Sequence, residues 1–122
     1  MTAIRVLIAQ PHDMIRESLA SMFEGMNDIE TVGQTASGPE TIRMCEELKP
    51  DVLLIGLYLH DLDSLVTTRL IYEKPNRPYI IMIDGLYGEE HEGSARKAGV
   101  DAYFSLETSA TDIIDEIRAS VH

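Results

Sequence analysis

The chain has 122 residues, of which 44% are hydrophobic and 25% are charged, and its formal net charge at pH 7 is −11. This length and composition are those of one folded domain with its own core, and they exclude a disordered chain. The acidic charge excludes DNA and anionic membranes as direct partners, because both repel a surface that has no lysine- or arginine-rich cluster.

The first half of the chain alternates apolar strands with amphipathic helices. Residues 6–9 are a continuous apolar run, typical of a buried strand, and a helical stripe follows with Asp13 as its expected N-cap. Residues 29–35 alternate as in an exposed edge strand. Ser37 and Glu40 then form a capping box for a second helix, and Cys45 belongs to the buried stripe of that helix.

The second half repeats the pattern three times. Residues 52–55 and 79–83 predict buried strands, and the helix between them carries Leu62, Leu65, Val66 and Leu70. Residues 89–98 predict a helix with a thin apolar face that ends at Gly99. Residues 102–104 predict the last strand, and a final amphipathic helix follows. Several methionines fall on the apolar stripes and are predicted to lie in the core: Met14, Met22, Met26, Met44 and Met82.

Strands that alternate with helices predict an α/β fold, a five-stranded parallel sheet with helices on both faces. Residues 1–122 read as a single domain without repeats. Cys45 is the only cysteine, so no intrachain disulfide can form, which fits a reducing cytoplasm. We also expect no membrane segment, because no apolar stretch approaches spanning length. In such a sheet, ligands bind at the carboxyl ends of the strands near the topological switch point.

Four segments carry a family resemblance: IRVLIA at 4–9, DIETVG at 28–33, LKPDVLL at 48–54 and AGVDAY at 98–103. With the element order, they make residues 4–120 similar to the receiver domain of response regulators, most like those of NarL/LuxR-type regulators. The resemblance implies a (βα)5, flavodoxin-like or CheY-like fold.

The resemblance also implies a phosphorylation site, and this chain departs from the family pattern at that site. Gln10 and Pro11 stand where the family has an acidic pair that holds Mg²⁺. Gly56 stands where the family has the aspartate that accepts the phosphoryl group. Asp84 replaces a threonine or serine, and Leu106 replaces a lysine that contacts the phosphoryl group.

These departures predict that the site does not react. Phosphoryl transfer needs a nucleophile, a metal ion and cations around the developing charge, and glycine has no side chain. A carboxylate at Asp84 would repel a phosphate about 5 Å away by roughly 3 kcal/mol at an effective dielectric near 20. The sequence therefore predicts a phosphorylation-independent pseudo-receiver without a metal or other cofactor. It has no catalytic motif at workable spacing, so we do not expect an enzyme.

Tyr103 alone matches the family pattern, at the position of the aromatic switch residue. It is either a half-buried aromatic that covers the sheet edge or a rotamer switch that reports the state of the neighbouring helix. Without a phosphate or a Ser/Thr to couple to, a third reading is that it is fixed in one rotamer as part of an interface.

Relocated carboxylates are a further possibility, since several acidic residues fall in the loops at the carboxyl ends of the strands. These are Asp13, Asp61, Asp63 and Asp84, with His12 and His60 nearby. They could bind a divalent cation, and either histidine could accept phosphate. Helix caps and solvated loop residues explain the same set, because no recognised ligand spacing is present.

The expected function is that of a protein-interaction module, the regulatory domain of a transcription regulator whose helix-turn-helix domain lies outside this sequence. A homodimer is the expected assembly, through the first and last helices or through the fourth-helix face. The alternative is a sensor of a small ligand or metal that uses the emptied pocket, lined by Gln10, Pro11, Gly56, Asp84 and Leu106.

Overall fold

Five parallel strands alternate with five helices in the computed structural model, which describes residues 2–85 and 91–121. The strands form one sheet in the order β2-β1-β3-β4-β5. They are β1 (Ile4–Ala9), β2 (Ile29–Thr35), β3 (Val52–Gly56), β4 (Tyr79–Asp84) and β5 (Ala102–Ser105). The helices are α1 (Asp13–Ser21), α2 (Gly38–Leu48), α3 (Ser64–Tyr72), α4 (Glu92–Ala98) and α5 (Ala110–Ala119). The predicted fold class is confirmed.

Each central strand is apolar on both sides because the sheet is covered by helices on both faces. Alternate residues of a strand point to opposite faces, so Val6 and Ile8 join one core while Leu7 and Ala9 join the other. The first core also contains Leu19, Phe23, Ile113 and Ile117 from the α1 and α5 side. The second contains Cys45, Ile71 and Ala95 from α2, α3 and α4.

The switch point of the sheet lies between β1 and β3. The chain passes from β1 to β2 on one side, and all later strands are added on the other side. Because Ala9 pairs with Ile55 in the parallel register, the next residues along each strand, Gln10 and Gly56, come side by side. The geometry of the sheet therefore brings two of the predicted site residues together.

The helix predicted to carry Leu62, Leu65, Val66 and Leu70 is present, but two of these residues do not face the core. The helix α3 buries Ser64, Thr67, Thr68 and Ile71, whereas Val66 and Leu70 are 46% and 41% exposed. The close approach of α2 explains the small residues on the inner side. A Cβ placed on Gly38 would lie 2.6 Å from Thr67 Oγ1, so α3 has room only for small side chains where it meets the start of α2.

Most predicted helix ends are confirmed, and the start of α1 is not. Ser37 and Asp63 accept hydrogen bonds from the first backbone N–H groups of α2 and α3, and Gly99 ends α4 with a φ of 119°. Asp13 is the first residue of α1 rather than its cap; His12 takes the N-cap position without a side-chain hydrogen bond. The carboxylate of Asp13 instead pairs with Arg16 at 2.6 Å.

Met14 also differs from its predicted place in the core, because its side chain is 73% exposed at the start of α1. Of the predicted fourth helix, the structure shows residues 92–98, and its expected first residue, Glu89, lies outside the described residues. α4 buries only Ala95 and Ala98, so its predicted thin apolar face is confirmed. Within the two described ranges, no helix has the length and apolar character needed to cross a bilayer.

Candidate functional site

The side chain of Gln10 lies over Gly56. A Cβ built on Gly56 would be 2.9 Å from Gln10 Cδ and closer still to Gln10 Nε2. Both separations are shorter than those that real Cβ atoms have from their neighbours. Gln10 is only 6% exposed, and its Oε1 accepts a hydrogen bond from the backbone N–H of His12 at 3.3 Å. The amide therefore occupies the space that a side chain at residue 56 would enter.

The loop that follows β3 is held in a defined shape. The buried Ser64 hydroxyl donates to the carbonyl of Gly56 at 2.7 Å and accepts from the N–H of Leu59 at 3.2 Å. Tyr58 and Asp61 have positive φ angles of 64° and 69°, a conformation that non-glycine residues adopt rarely and that surrounding contacts must maintain. The backbone at the end of β3 is thus held in place by hydrogen bonds to the Ser64 side chain.

Four of the five residues predicted to line a pocket do so. Gln10, Pro11, Asp84 and Leu106 line a cavity of about 370 Å³ at the carboxyl edge of the sheet. Gly56 does not reach this cavity, because the amide of Gln10 lies over it. The remaining lining residues are His12, Ile15, Leu57, Tyr58, Ile83 and Gly85.

Asp84 accepts hydrogen bonds on both carboxylate oxygens. At the end of β4 and 6% exposed, it accepts from the N–H of Gly85 on Oδ1 at 2.7 Å. The hydroxyl of Tyr103 donates to Oδ2, and Nδ1 of His91 lies 3.0 Å from the same oxygen. A buried carboxylate is tolerated when such donors surround it, which explains how this position carries an acid inside the fold.

Tyr103 lies partly buried on β5, at the edge of the sheet, as predicted. Burial, and then the hydrogen bond to Asp84, raise the pKa of the Tyr103 hydroxyl well above its usual value. Tyr103 is therefore a protonated donor at neutral pH, and its hydroxyl points to the end of β4.

His91 makes a contact that the sequence did not reveal. The Nδ1 atom of its ring lies 3.0 Å from Asp84 Oδ2, although the two residues are seven positions apart and share no periodic pattern. The relocated carboxylates do not assemble around it. Asp63 caps α3, Asp13 pairs with Arg16, and among the described residues no three His, Cys, Asp or Glu side chains are close enough to hold a metal ion.

The Mg²⁺ ion implied by the family resemblance does not fit the residues present. Mg²⁺ prefers carboxylate oxygens in octahedral geometry, and Asp84 is the one carboxylate among the described lining residues of the cavity. Both of its oxygens already accept hydrogen bonds from protein donors. The amide oxygen of Gln10 faces the N–H of His12.

Comparisons with known proteins agree with the fold. The sequence model of the response regulator receiver domain family matches residues 6–118. The response regulator protein VraR of Staphylococcus aureus is 36% identical over 115 residues, which cover 94% of this chain and 55% of VraR. The chain thus spans about half the length of the curated relatives it matches.

Two solved structures show the same architecture. The response regulator domain of Thermotoga maritima CheB superposes with a TM-score of 0.87 at 24% identity, covering 97% of this chain and 96% of that one. A LuxR-family DNA-binding response regulator from Staphylococcus aureus gives a TM-score of 0.88 at 20% identity, covering 98% and 99%. At these identities the likeness shows the CheY-like fold.

Proposed function

The chain belongs to the response regulator receiver domain family, and we propose that it is a member that works without phosphorylation. Receiver domains act in two-component signalling through contacts with partner proteins. The similarity to VraR and to a LuxR-family regulator supports a role as the cytoplasmic regulatory domain of a transcription regulator. With a net charge of −11, the domain itself would leave DNA contacts to another part of such a protein.

The observation that carries this proposal is the amide of Gln10 over Gly56. A phosphoryl acceptor at the end of β3 needs a side chain that reaches the cavity, and here that space is filled by a neutral amide with 6% exposure. Two other predicted site residues that differ chemically from the family pattern do not replace the missing chemistry. Leu106 is apolar, and Asp84 adds an anion where a phosphate would need cations. We therefore also propose that the domain is not an enzyme.

The test is an intact-mass measurement after incubation with Mg²⁺ and a small phosphodonor such as acetyl phosphate. We expect no adduct, whereas a receiver domain with aspartate at the end of β3, treated in parallel, gains one phosphoryl group. A stoichiometric adduct on this chain would overturn the proposal. Its lability would then identify the acceptor, because an acyl phosphate reacts with hydroxylamine and a phosphohistidine from His12 or His60 is lost in acid.

The partner we propose is a second copy of the chain, bound along α1 and α5. Between these helices lies an apolar cavity of about 530 Å³, and the 73% exposed side chain of Met14 stands at its edge. Leu19, Met22, Leu106 and Ile113 also line it. Exposed apolar side chains beside an apolar groove favour association, because contact removes both from water.

Light scattering across a dilution series tests this interface. We expect a concentration-dependent dimer that Met14→Asp weakens. Leu70→Asp is the matched control, since Leu70 is also exposed but lies on α3, on the opposite face of the sheet. A monomer at every concentration would refute the dimer and leave the phosphorylation proposal intact.

A small-ligand sensor is the second candidate, and the cavity of about 370 Å³ at the switch point favours it. Because both Asp84 oxygens accept protein hydrogen bonds, a neutral and mostly apolar compound suits this cavity better than an amine. A thermal-shift screen of neutral metabolites would support the idea if a hit lost its effect in Leu106→Glu. A screen without hits would count against it.

A further inference from the structure

The start of α4 is attached to the rest of the domain by polar contacts more than by apolar ones. The helix buries only two alanines, Ala95 and Ala98, so it gains little from the hydrophobic effect. Elements with few buried apolar contacts open more readily than the rest of a fold. A small number of hydrogen bonds therefore contributes much of what keeps α4 in place.

The first of these bonds comes from His91, the N-cap residue of α4. Its side chain makes no capping hydrogen bond to the helix, and its backbone is helical with φ −103° and ψ −2°. α3 and α5, by contrast, begin with Asp63 and Ser109, whose side chains cap their own helices. The ring of His91 is directed to Asp84 Oδ2, 3.0 Å away, so the N-cap side chain ties α4 to β4.

The second bond comes from the edge strand. Tyr103 on β5 donates its hydroxyl to the same oxygen of Asp84. One carboxylate thus joins the end of β4, the start of α4 and the middle of β5. The far end of α4 has its own tie, since Arg69 of α3 donates to the carbonyl of Lys97 at 2.7 Å.

We propose that the Asp84 carboxylate is a built-in anchor that keeps the start of α4 and the Tyr103 hydroxyl in one arrangement without any bound anion. The buried carboxylate supplies the acceptor itself, and its charge strengthens both hydrogen bonds. This inference goes beyond the proposed function, because it concerns the conformation of α4 and β5 and holds whatever the fate of residue 56 or the oligomeric state.

Removing the carboxylate takes away the acceptor that both side chains share. Tyr103 then loses its carboxylate partner, and the ring of His91 can turn to solvent, being 36% exposed already. Glu92 also acts on Tyr103 electrostatically, but it is engaged with Arg96 at 3.2 Å. We therefore expect local opening of α4 and not a general loss of the sheet.

Amide hydrogen exchange, followed by mass spectrometry or NMR, tests the anchor. In Asp84→Ala we expect residues 92–98 to exchange about ten-fold faster or more, while β1 and β3 keep their protection. His91→Ala and Tyr103→Phe should each give part of this effect, because each removes one of the two side chains that reach the Asp84 carboxylate.

Tyr79→Phe is the matched control. The hydroxyl of Tyr79 also donates to a carboxylate, Glu116 at 2.6 Å, but this pair links β4 to α5, so exchange in α4 should not change. Unchanged exchange of residues 92–98 in a folded Asp84→Ala protein would overturn the anchor, as would an equal rise over the whole chain. If Asp84→Ala does not fold, His91→Ala and Tyr103→Phe decide, and wild-type exchange in both refutes the proposal. None of these outcomes depends on phosphorylation, which the phosphodonor experiment tests separately.

Discussion

Replacing Gly56 by alanine should change stability in opposite directions depending on residue 10. Gly56 does not have a left-handed backbone, so alanine there should stabilise the protein by about 0.4–1 kcal/mol through the unfolded state. In the natural background the new Cβ would meet Gln10 Cδ at 2.9 Å and displace the amide. Displacing the amide and losing its hydrogen bond to the N–H of His12 costs about 1 kcal/mol. The net effect of Gly56→Ala on stability is therefore zero or destabilising.

Shortening Gln10 first should remove that cost. In Gln10→Ala, the same Gly56→Ala substitution should stabilise the protein by about 0.4–1 kcal/mol, which makes the coupling between the two positions about 1 kcal/mol. Urea unfolding of the natural protein, the two single variants and the double variant measures this double-mutant cycle.

Gly93→Ala is the control for this cycle, since a Cβ on Gly93 meets no atom within 4 Å. It should stabilise α4 equally in both backgrounds. If Gly56→Ala also has the same effect in both, the amide does not lie over residue 56 and the reasoning fails.

Two further predictions concern groups with raised pKa values. The hydrogen bond to Glu116, together with burial, raises the pKa of Tyr79 to about 12. The protonated hydroxyl therefore stabilises the fold below pH 10, and this stabilisation is lost as the pH rises from about 10 to 12. Across that window the unfolding free energy of the natural protein should fall by roughly 2 kcal/mol more than that of Tyr79→Phe, measured by urea titration; parallel curves would contradict this. Burial, and then the charge of Glu46, raise the pKa of the Cys45 thiol to about 12. Iodoacetamide at pH 8 should therefore leave the folded protein unmodified and alkylate the urea-unfolded chain. Rapid labelling of the folded protein would refute the prediction.

The fold was predictable because it depends on patterns that repeat along the chain. The runs at 6–9, 52–55 and 79–83 are apolar on both sides, which requires a sheet covered on both faces. The outward position of Val66 and Leu70 was not predictable in the same way. Val66 and Leu70 have a helical spacing typical of a buried stripe, but the closeness of Gly38 to Thr67 decides which side faces inward, and that closeness is a tertiary contact.

The residues that belong to the site were predictable from the sequence, but the contacts between them were not. Parallel strands bring Gln10 and Gly56 to one edge of the sheet, so their proximity follows from topology. The direction of the Gln10 side chain follows from the free space above a glycine, which appears only in three dimensions. The contact between His91 and Asp84 joins two residues that belong to no common periodic pattern, so the sequence carries no signal for it.

The replacements at this site compensate one another physically. Without a side chain at Gly56, the space above β3 would be a void beside buried polar groups, and the amide of Gln10 fills it. An acid at Asp84 would be an unpaired buried charge, and the hydroxyl of Tyr103 and the ring of His91 provide its donors. A site that had only lost residues would leave unsatisfied buried groups, each of which costs stability. Here the amide of Gln10 lies over Gly56 and the carboxylate at the end of β4 is paired, which is the arrangement expected of a domain that keeps one conformation at this edge.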